Sequence, residues 1–201
     1  MTDSQQVPLF PLRTVLYPQG PLPLRVFEPR YLDMIGDCMR HEAAFGVVQI
    51  REGTETGPAT IYDVGTLARI TDWYQGSDGI LGITARGGER FTVLSTARRD
   101  NGLLVGEVRV LPPEPELRLP DEFLPLVQIL DGVLDDLGRL YEDLPRHYED
   151  ATWVGYRFAE VLPINAGQRQ ECLECNDPLR RLQLIRSVLG DVRAVMARRT
   201  E

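Results

Sequence analysis

The chain has 201 residues, 43% of them hydrophobic, enough for a real core in one domain or two small ones and too many for a wholly disordered chain. A formal net charge of −8 argues against nucleic-acid binding, since an acidic surface repels phosphate backbones, and the pairs Arg98-Arg99 and Arg198-Arg199 read as solvated ends. All 22 basic residues are arginine, so the chain cannot supply a phosphate-loop lysine, a Ser–Lys dyad or a Schiff base.

Met1 to Gln6 has neither a basic start nor an apolar stretch, so no secretory signal is expected. No apolar run reaches the roughly 18 residues of a membrane span. No membrane contact is expected, and the expected location is cytoplasmic. Val7-Pro8-Leu9-Phe10-Pro11-Leu12 reads as a strand whose prolines suit an edge or barrel rim. Tyr17 to Pro21 is turn chemistry, and Leu22 to Phe27 is a second short strand. Glu28-Pro29-Arg30-Tyr31 opens a helix: Pro29 fits its first position, and Glu28 favours its positive end. Tyr31, Met34, Ile35, Cys38 and Met39 then recur at helical spacing to about His41.

Phe45 to Ile50 reads as a buried strand, followed by an exposed loop through Pro58. Further strands are expected over Tyr62–Tyr74, Ile80–Ala85, Glu89–Thr96 and Leu103–Leu111. Glycine turns separate them at Gly76–Gly79, Arg86–Gly88 and Asp100–Gly102. Gly65 marks a bend or bulge in the longest run. Strands this short and closely spaced suggest a small antiparallel barrel. Pro112 to Glu116 reads as a stiff acidic linker.

The rest is helical. An apolar stripe runs from Phe123 through Leu126, Leu130 and Leu134 to Tyr141, weakened by Gly132 and Gly138. Asp150 is placed to cap a helix over Trp153–Leu162. Asn165 with Gln168 resembles a capping box for a helix through Cys175. Asp177-Pro178 starts a final helix with the stripe Leu182, Ile185, Leu189, Val192 and Met196. The division expected is 1–112 for a barrel with one helix (about 29–41), 113–120 for a Pro-rich linker, and 121–201 for a bundle of about four helices.

Three stretches in this order resemble the substrate-binding N-terminal domain of the Lon ATP-dependent protease. The first is Pro8-Leu9-Phe10-Pro11-Leu12 with Val15, Tyr17-Pro18, Leu22-Pro23-Leu24 and Phe27-Glu28-Pro29-Arg30-Tyr31. The second runs from Trp153-Val154 through Ala159-Glu160-Val161-Leu162-Pro163. The third is Gln170 to Leu182. Free-standing bacterial proteins of this type are similar, and cereblon carries a similar domain. The resemblance implies an α+β fold, a PUA-like antiparallel barrel followed by a C-terminal helical bundle. It implies binding of unfolded or exposed polypeptide segments, with an ATP-dependent protease as a candidate partner and a place in protein quality control. Lon itself continues into an ATPase and a Ser–Lys peptidase.

Other motifs are weighed against plain structural roles. Cys172-x-x-Cys175 supplies two ligands where zinc needs four. Cys38 and His41 complete a set only arithmetically, and aliphatic residues usually stand at the two positions in the family, so the cysteines read as core and no metal or other cofactor is expected. The two histidines and four serines form no recognisable triad or nucleophile elbow, so the chain is expected not to be an enzyme. Glu28, Pro29 and Arg30 read as structural, with Arg30 in an ion pair that fixes the helix to the barrel. Trp73-Tyr74 point to opposite strand faces, so one of them is expected to be exposed and able to anchor an interface. A groove between barrel and bundle, with Phe10, Phe27, Tyr31 and Trp153, is the other candidate binding site. The competing function is a small-molecule-binding protein or enzyme that uses a cleft there.

Overall fold

Alternating side chains over Ser4–Leu12 form β1, the first of six strands in a computed structural model that describes residues 4–57 and 59–199, with side chains through 189. After it come β2 (Pro21–Val26), helix α1 (Pro29–His41), β3 (Phe45–Gly53), β4 (Ala59–Gln75), β5 (Leu81–Arg98) and β6 (Leu104–Val110). The strand order is β2-β5-β4-β3-β1-β6, and β6 pairs back onto β5. Five strands therefore close a ring, with β2 attached to β5 outside it.

The ring is mixed rather than wholly antiparallel. β1 and β3 run parallel, Leu9 opposite Gly46 and Leu12 opposite Gln49, because β2 and α1 intervene as the crossover that a parallel pair requires. β1 is also not an edge strand. Its first half, Ser4 to Leu9, pairs with β6, and its second half, Leu9 to Leu12, with β3. Pro8 and Pro11 thus lie where the strand has one neighbour only, and each can turn its donorless nitrogen to the empty side.

The expected turn at Arg86–Gly88 is absent, and β5 runs unbroken through it. The glycines there serve close approach instead. A Cβ on Gly87 would collide with the carbonyl oxygen of Tyr17. The Tyr17–Gly20 turn is laced to this point by Gln19 N–H to Gly87 O at 2.8 Å and Gly87 N–H to Gly20 O at 2.9 Å. Gly65 is likewise in register with Val48 and Phe91. The Phe91 ring occupies the space its side chain would fill, and the irregularities of β4 lie beside it, at Thr66/Ala68 and Ile70/Asp72.

The strand faces carry two apolar clusters. One holds Phe10, Phe45, Val47, Ala68, Ile83 and Ala85 beneath Tyr31, Met34, Ile35 and Cys38 of α1. The other holds Val7, Leu9, Val48, Leu67, Phe91 and Val108. Neighbouring residues such as Leu9 and Phe10 go to different clusters, as a two-residue period demands.

The chain divides into two compact units, Met1–Pro113 and Glu114–Glu201. The second contains α2 (Leu124–Asp136), α3 (Arg139–Glu142), α4 (Ala151–Val161), α5 (Ala166–Glu174) and α6 (Pro178–Arg199), with one 3-10 turn before α2. The stripe through Tyr141 is not one helix. It breaks at Gly138, whose φ of 58° no ordinary side chain adopts easily, while Gly132 stays inside α2. Asp150 caps α4 by accepting from the N–H groups of Thr152 and Trp153. Asn165 and Gln168 form a reciprocal capping box. Asp177 accepts from Leu179 and Arg180 at the start of α6.

From Glu114 on, the proline-rich stretch is part of the second unit and is tied to its helices. Leu119 N–H donates to Glu149 O at 2.7 Å and Ala151 N–H to Leu117 O at 2.7 Å. Glu114 enters the helical core. Its carboxylate accepts from Arg181 Nη1 at 2.9 Å and Nη2 at 2.7 Å, and from the Tyr156 hydroxyl. The Arg181 guanidinium stacks 3.9 Å from the centre of the Tyr156 ring and also donates to the carbonyls of Cys172 and Cys175. It is wholly buried, and Gly155 leaves room for its stem, which a Cβ would meet at 3.1 Å.

Two predictions follow from this packing. Glu114→Ala strands a buried cation and is expected to cost about 3–5 kcal/mol in urea unfolding followed by far-ultraviolet circular dichroism, whereas Glu114→Leu with Arg181→Met recovers most of the loss. Gly87→Ala loses about 1–3 kcal/mol through its backbone clash, while Gly36→Ala, mid-helix in α1 with open space around its Cβ, gains about 0.5–1 kcal/mol. Equal effects at the two glycines would refute the close-approach reading of Gly87.

Candidate functional site

The sequence singled out six aromatic residues, and the structure separates them. Phe10 and Tyr31 are buried in the first unit and stacked, ring centres 4.0 Å apart. Trp153 is buried in the second unit, edge-on to Tyr148 at 5.3 Å. Phe27, Trp73 and Tyr74 are open, at 61%, 58% and 55% exposure. Both members of the Trp73-Tyr74 pair are thus in solvent, although their strand faces do differ. Trp73 lies opposite Ile83, which lies opposite Leu24. Tyr74 lies on the other face, its ring over Gly82 beside Arg25.

Trp73 extends the face that α1 covers. Leu24, Ile70 and Leu81 on that face are only partly buried and pack on its cluster. These residues make an apolar shelf where the β4–β5 hairpin runs past the helix. The hairpin tip is braced. Gly76 N–H donates to Ile80 O at 2.9 Å, Gly79 takes a φ of 79°, and Asp78 pairs with Arg25. A hydrogen bond from the Ile80 backbone N–H, helped by Arg25, holds the Asp78 carboxyl below the usual carboxylate range.

Glu28, Pro29 and Arg30 organise the start of α1. Glu28 is the capping residue in extended conformation without a side-chain cap, and Pro29 fills the first turn. Arg30 pairs with Glu28 at 2.7 Å. It also donates to Gly102 O and Glu55 O, both at 3.3 Å, which ties α1 to the loop after β5 and the loop after β3. Burial raises the pKa of the Tyr31 hydroxyl, as it does that of the Cys38 thiol.

A second feature was not legible in the sequence. β4 and β5 are in register from Gln75↔Leu81 to Val64↔Thr92 and then separate. Beyond that point β4 continues with β3 alone, through Ile61↔Ile50 to Ala59↔Gly53, and β5 with β6 alone, through Ser95↔Glu107 to Arg98↔Leu104. The split in the wall is a slot of about 350 Å³ lined by Ala59, Thr60, Ile61, Thr96, Ala97, Arg98 and Leu104. Leu94 is the extra residue of a bulge between Val93 and Ser95, and it stands exposed at the slot's side. Arg98 donates to Gly102 O at 3.3 Å, the same oxygen that Arg30 reaches.

The cysteines do not assemble. Burial pushes the Cys172 thiol up to about 11, so it stays protonated at neutral pH and is a poor ligand or nucleophile. Cys175 donates its Sγ–H to Asp177 O at 3.2 Å. Among the described residues, no group of three or more His, Cys, Asp or Glu converges on a metal position. His41 lies with Nδ1 2.9 Å from Asp37 O on its own helix, and His147 is 3.8 Å from Glu149. None of the described helices is long and apolar enough to cross a membrane.

Known proteins match this arrangement over most of its length. Residues 6–191 match the family model described as the ATP-dependent protease La (LON) substrate-binding domain. The crystal structure of a Lon N-terminal domain protein from Xanthomonas campestris superposes with a TM-score of 0.76 at 39% identity, covering 91% of this chain and 98% of that one. The N-terminal domain of a Mycobacterium avium complex Lon protease shares the fold at a TM-score of 0.60 and 20% identity, covering 90% and 96%. Lon protease of Anaeromyxobacter dehalogenans is 27% identical over 94% of this chain but only 24% of its own length, and cereblon of Xenopus tropicalis is 29% identical over 55% and 25%. The chain thus spans about a quarter of the length of the Lon protease and of the cereblon it matches. It belongs to the ATP-dependent protease La (LON) substrate-binding domain family.

Proposed function

We propose that this protein binds unfolded or exposed polypeptide segments without covalent chemistry, in a Lon-like quality-control setting and with an ATP-dependent protease as the candidate partner that acts on what it holds. The observation that carries this reading is the apolar shelf of exposed Trp73 with Leu24, Ile70 and Leu81. Large exposed apolar side chains gathered on one face are what a soluble domain keeps for contact. Aromatic rings supply much of the energy in such contacts.

The chemistry of the chain agrees with holding rather than cutting. There is no lysine for a Ser–Lys dyad. The raised pKa values at Tyr31, Cys38 and Cys172 come first from burial, not from a poised catalytic partner. Binding through one small shelf is expected to be weak, on the order of micromolar, with avidity coming from several sites on one client or several copies of the module. The cytoplasm suits this role.

The test is titration with a reduced, carboxymethylated model protein and with its folded form. Only the unfolded form is expected to bind, with the Trp73 emission shifting as its ring leaves water. Trp73→Ala should weaken binding about five- to tenfold, the usual loss for an aromatic anchor. Equal binding of folded and unfolded forms, or an unaltered Trp73→Ala variant, would rule the reading out.

A further inference from the structure

We infer that the slot between β4 and β5 is a strand-accepting site for an extended polypeptide segment that carries a carboxylate, a proposal that rests on the polypeptide-binding reading and adds to it a second mode of contact. The argument begins with where the sheet leaves its backbone unpaired. A closed barrel has no edges, which protects it from adding foreign strands. This ring is closed only down to Val64↔Thr92. Below that level Ala59–Ile61 of β4 pair with β3 on one side, the register slipping across Tyr62–Val64, and residues 93–98 of β5 pair with β6 on one side with Leu94 bulged out. The other side of each bank faces the slot.

The two kinds of edge in this unit are treated differently. β2, the strand attached outside the ring, carries Pro21 and Pro23. Prolines sit on edges with their missing N–H turned outward, so β2 is a poor template for a further strand. The banks of the slot carry no such guard. Ala59-Thr60-Ile61-Tyr62-Asp63 and Val93-Leu94-Ser95-Thr96-Ala97-Arg98 contain no proline and are rich in β-branched and apolar residues. The paired banks span three residues of β4 and six of β5, roughly 10–20 Å of edge at strand rise, which matches a short extended segment. Main-chain hydrogen bonds from such an edge give affinity with little dependence on sequence. The exposed Leu94 beside it offers an apolar contact to the incoming chain.

Charge fixes the class of segment further. Arg98 lines the slot and Arg99 follows it at the exposed turn, with Asp100 as the neighbouring acid. Arg30 is paired with Glu28. Arg98 spends one donor on Gly102 O and has no carboxylate at ion-pair distance among the described residues. A guanidinium at the end of such a slot favours a segment with a carboxylate at its end, a local attraction that acts against the overall negative charge of the protein.

The experiment uses the full chain and acetyl-Thr-Val-Ser-Val-Thr in three forms: free acid, neutral amide, and amide with its last residue replaced by Glu. Hydrogen exchange of backbone amides is read with and without each peptide. Binding of either acidic form is expected to slow exchange at 59–63 or 93–98, with the neutral amide weaker. Response to the free acid alone assigns the carboxylate to a chain terminus, and response to the Glu form alone assigns it to a side chain. N-methylation of both valines should weaken binding about tenfold or more, since each removes a main-chain donor. Arg98→Glu should weaken the acidic forms about fivefold. If the N-methylated peptides bind as tightly as their parents, or the neutral amide matches both acids, or protection appears only around Trp73, the slot is not a strand site. That result leaves the shelf standing if the carboxymethylated protein still binds, whereas loss of that binding too would remove the function itself.

Discussion

β5 has to satisfy three neighbours with one backbone, and the rest of the first unit is arranged around how it does so. Its first half pairs with β2 and β4, and its second half with β6. A strand of 18 residues cannot stay flat over such a length, because twist accumulates along it. It turns away from β4 after Thr92 and follows β6, with the bulge at Leu94 re-aiming the chain just past the divergence. The projecting hairpin with Trp73 lies at one end of this strand and the split wall at the other. Both candidate surfaces are therefore consequences of the same pairing choice.

The second unit depends on a different constraint, a cation with no water. Burying Arg181 is tolerable because every direction around it is answered: a bidentate carboxylate, two carbonyls and the face of Tyr156. The partners of this α6 side chain come from three places in the chain: Glu114, the α5 segment with Cys172 and Cys175, and Tyr156 of α4. Buried ion pairs add little net stability over an apolar core, but removal of one partner is severe. The arrangement thus specifies how the helices meet more than it strengthens them. It also explains why the polar residue Glu114 is held in place.

Local chemistry was readable wherever it is decided by adjacent residues. The caps at Asp150, Asn165 and Asp177 and the proline start of α1 depend on side chains reaching backbone two or three residues away, and they appear where the sequence puts them. Glycine misled where its reason was distant. Gly87 looks like turn chemistry, yet it is small because the Tyr17–Gly20 backbone lies against it. Gly65 does mark the expected irregularity, since the register slips on both sides of it, and it is small as well because the Val47 carbonyl and the Phe91 ring lie against it. Prolines 8 and 11 signalled an edge and found instead two half-edges on one interior strand. Arg181 could have been suspected: it stands four residues before Ile185, on the apolar stripe of α6, where a solvated arginine does not belong. Nothing in single-sequence periodicity marks the split between β4 and β5, since both banks continue as ordinary strands with other partners.

The shelf and the slot ask different things of a bound chain, and that difference bears on selectivity. A shelf of exposed rings rewards apolar side chains in any backbone conformation. A strand edge rewards unpaired backbone with little regard to side chains. A folded protein offers neither, because its apolar residues are in its core and its backbone groups are paired with one another. An unfolded segment offers both at once. Two weak contacts joined by one continuous stretch of client chain act at raised effective concentration, so their combination rises above either alone. Recognition built this way needs no sequence motif and no conformational change in the binder. It separates folded from unfolded chains by requiring two features that coexist only when native structure is lost.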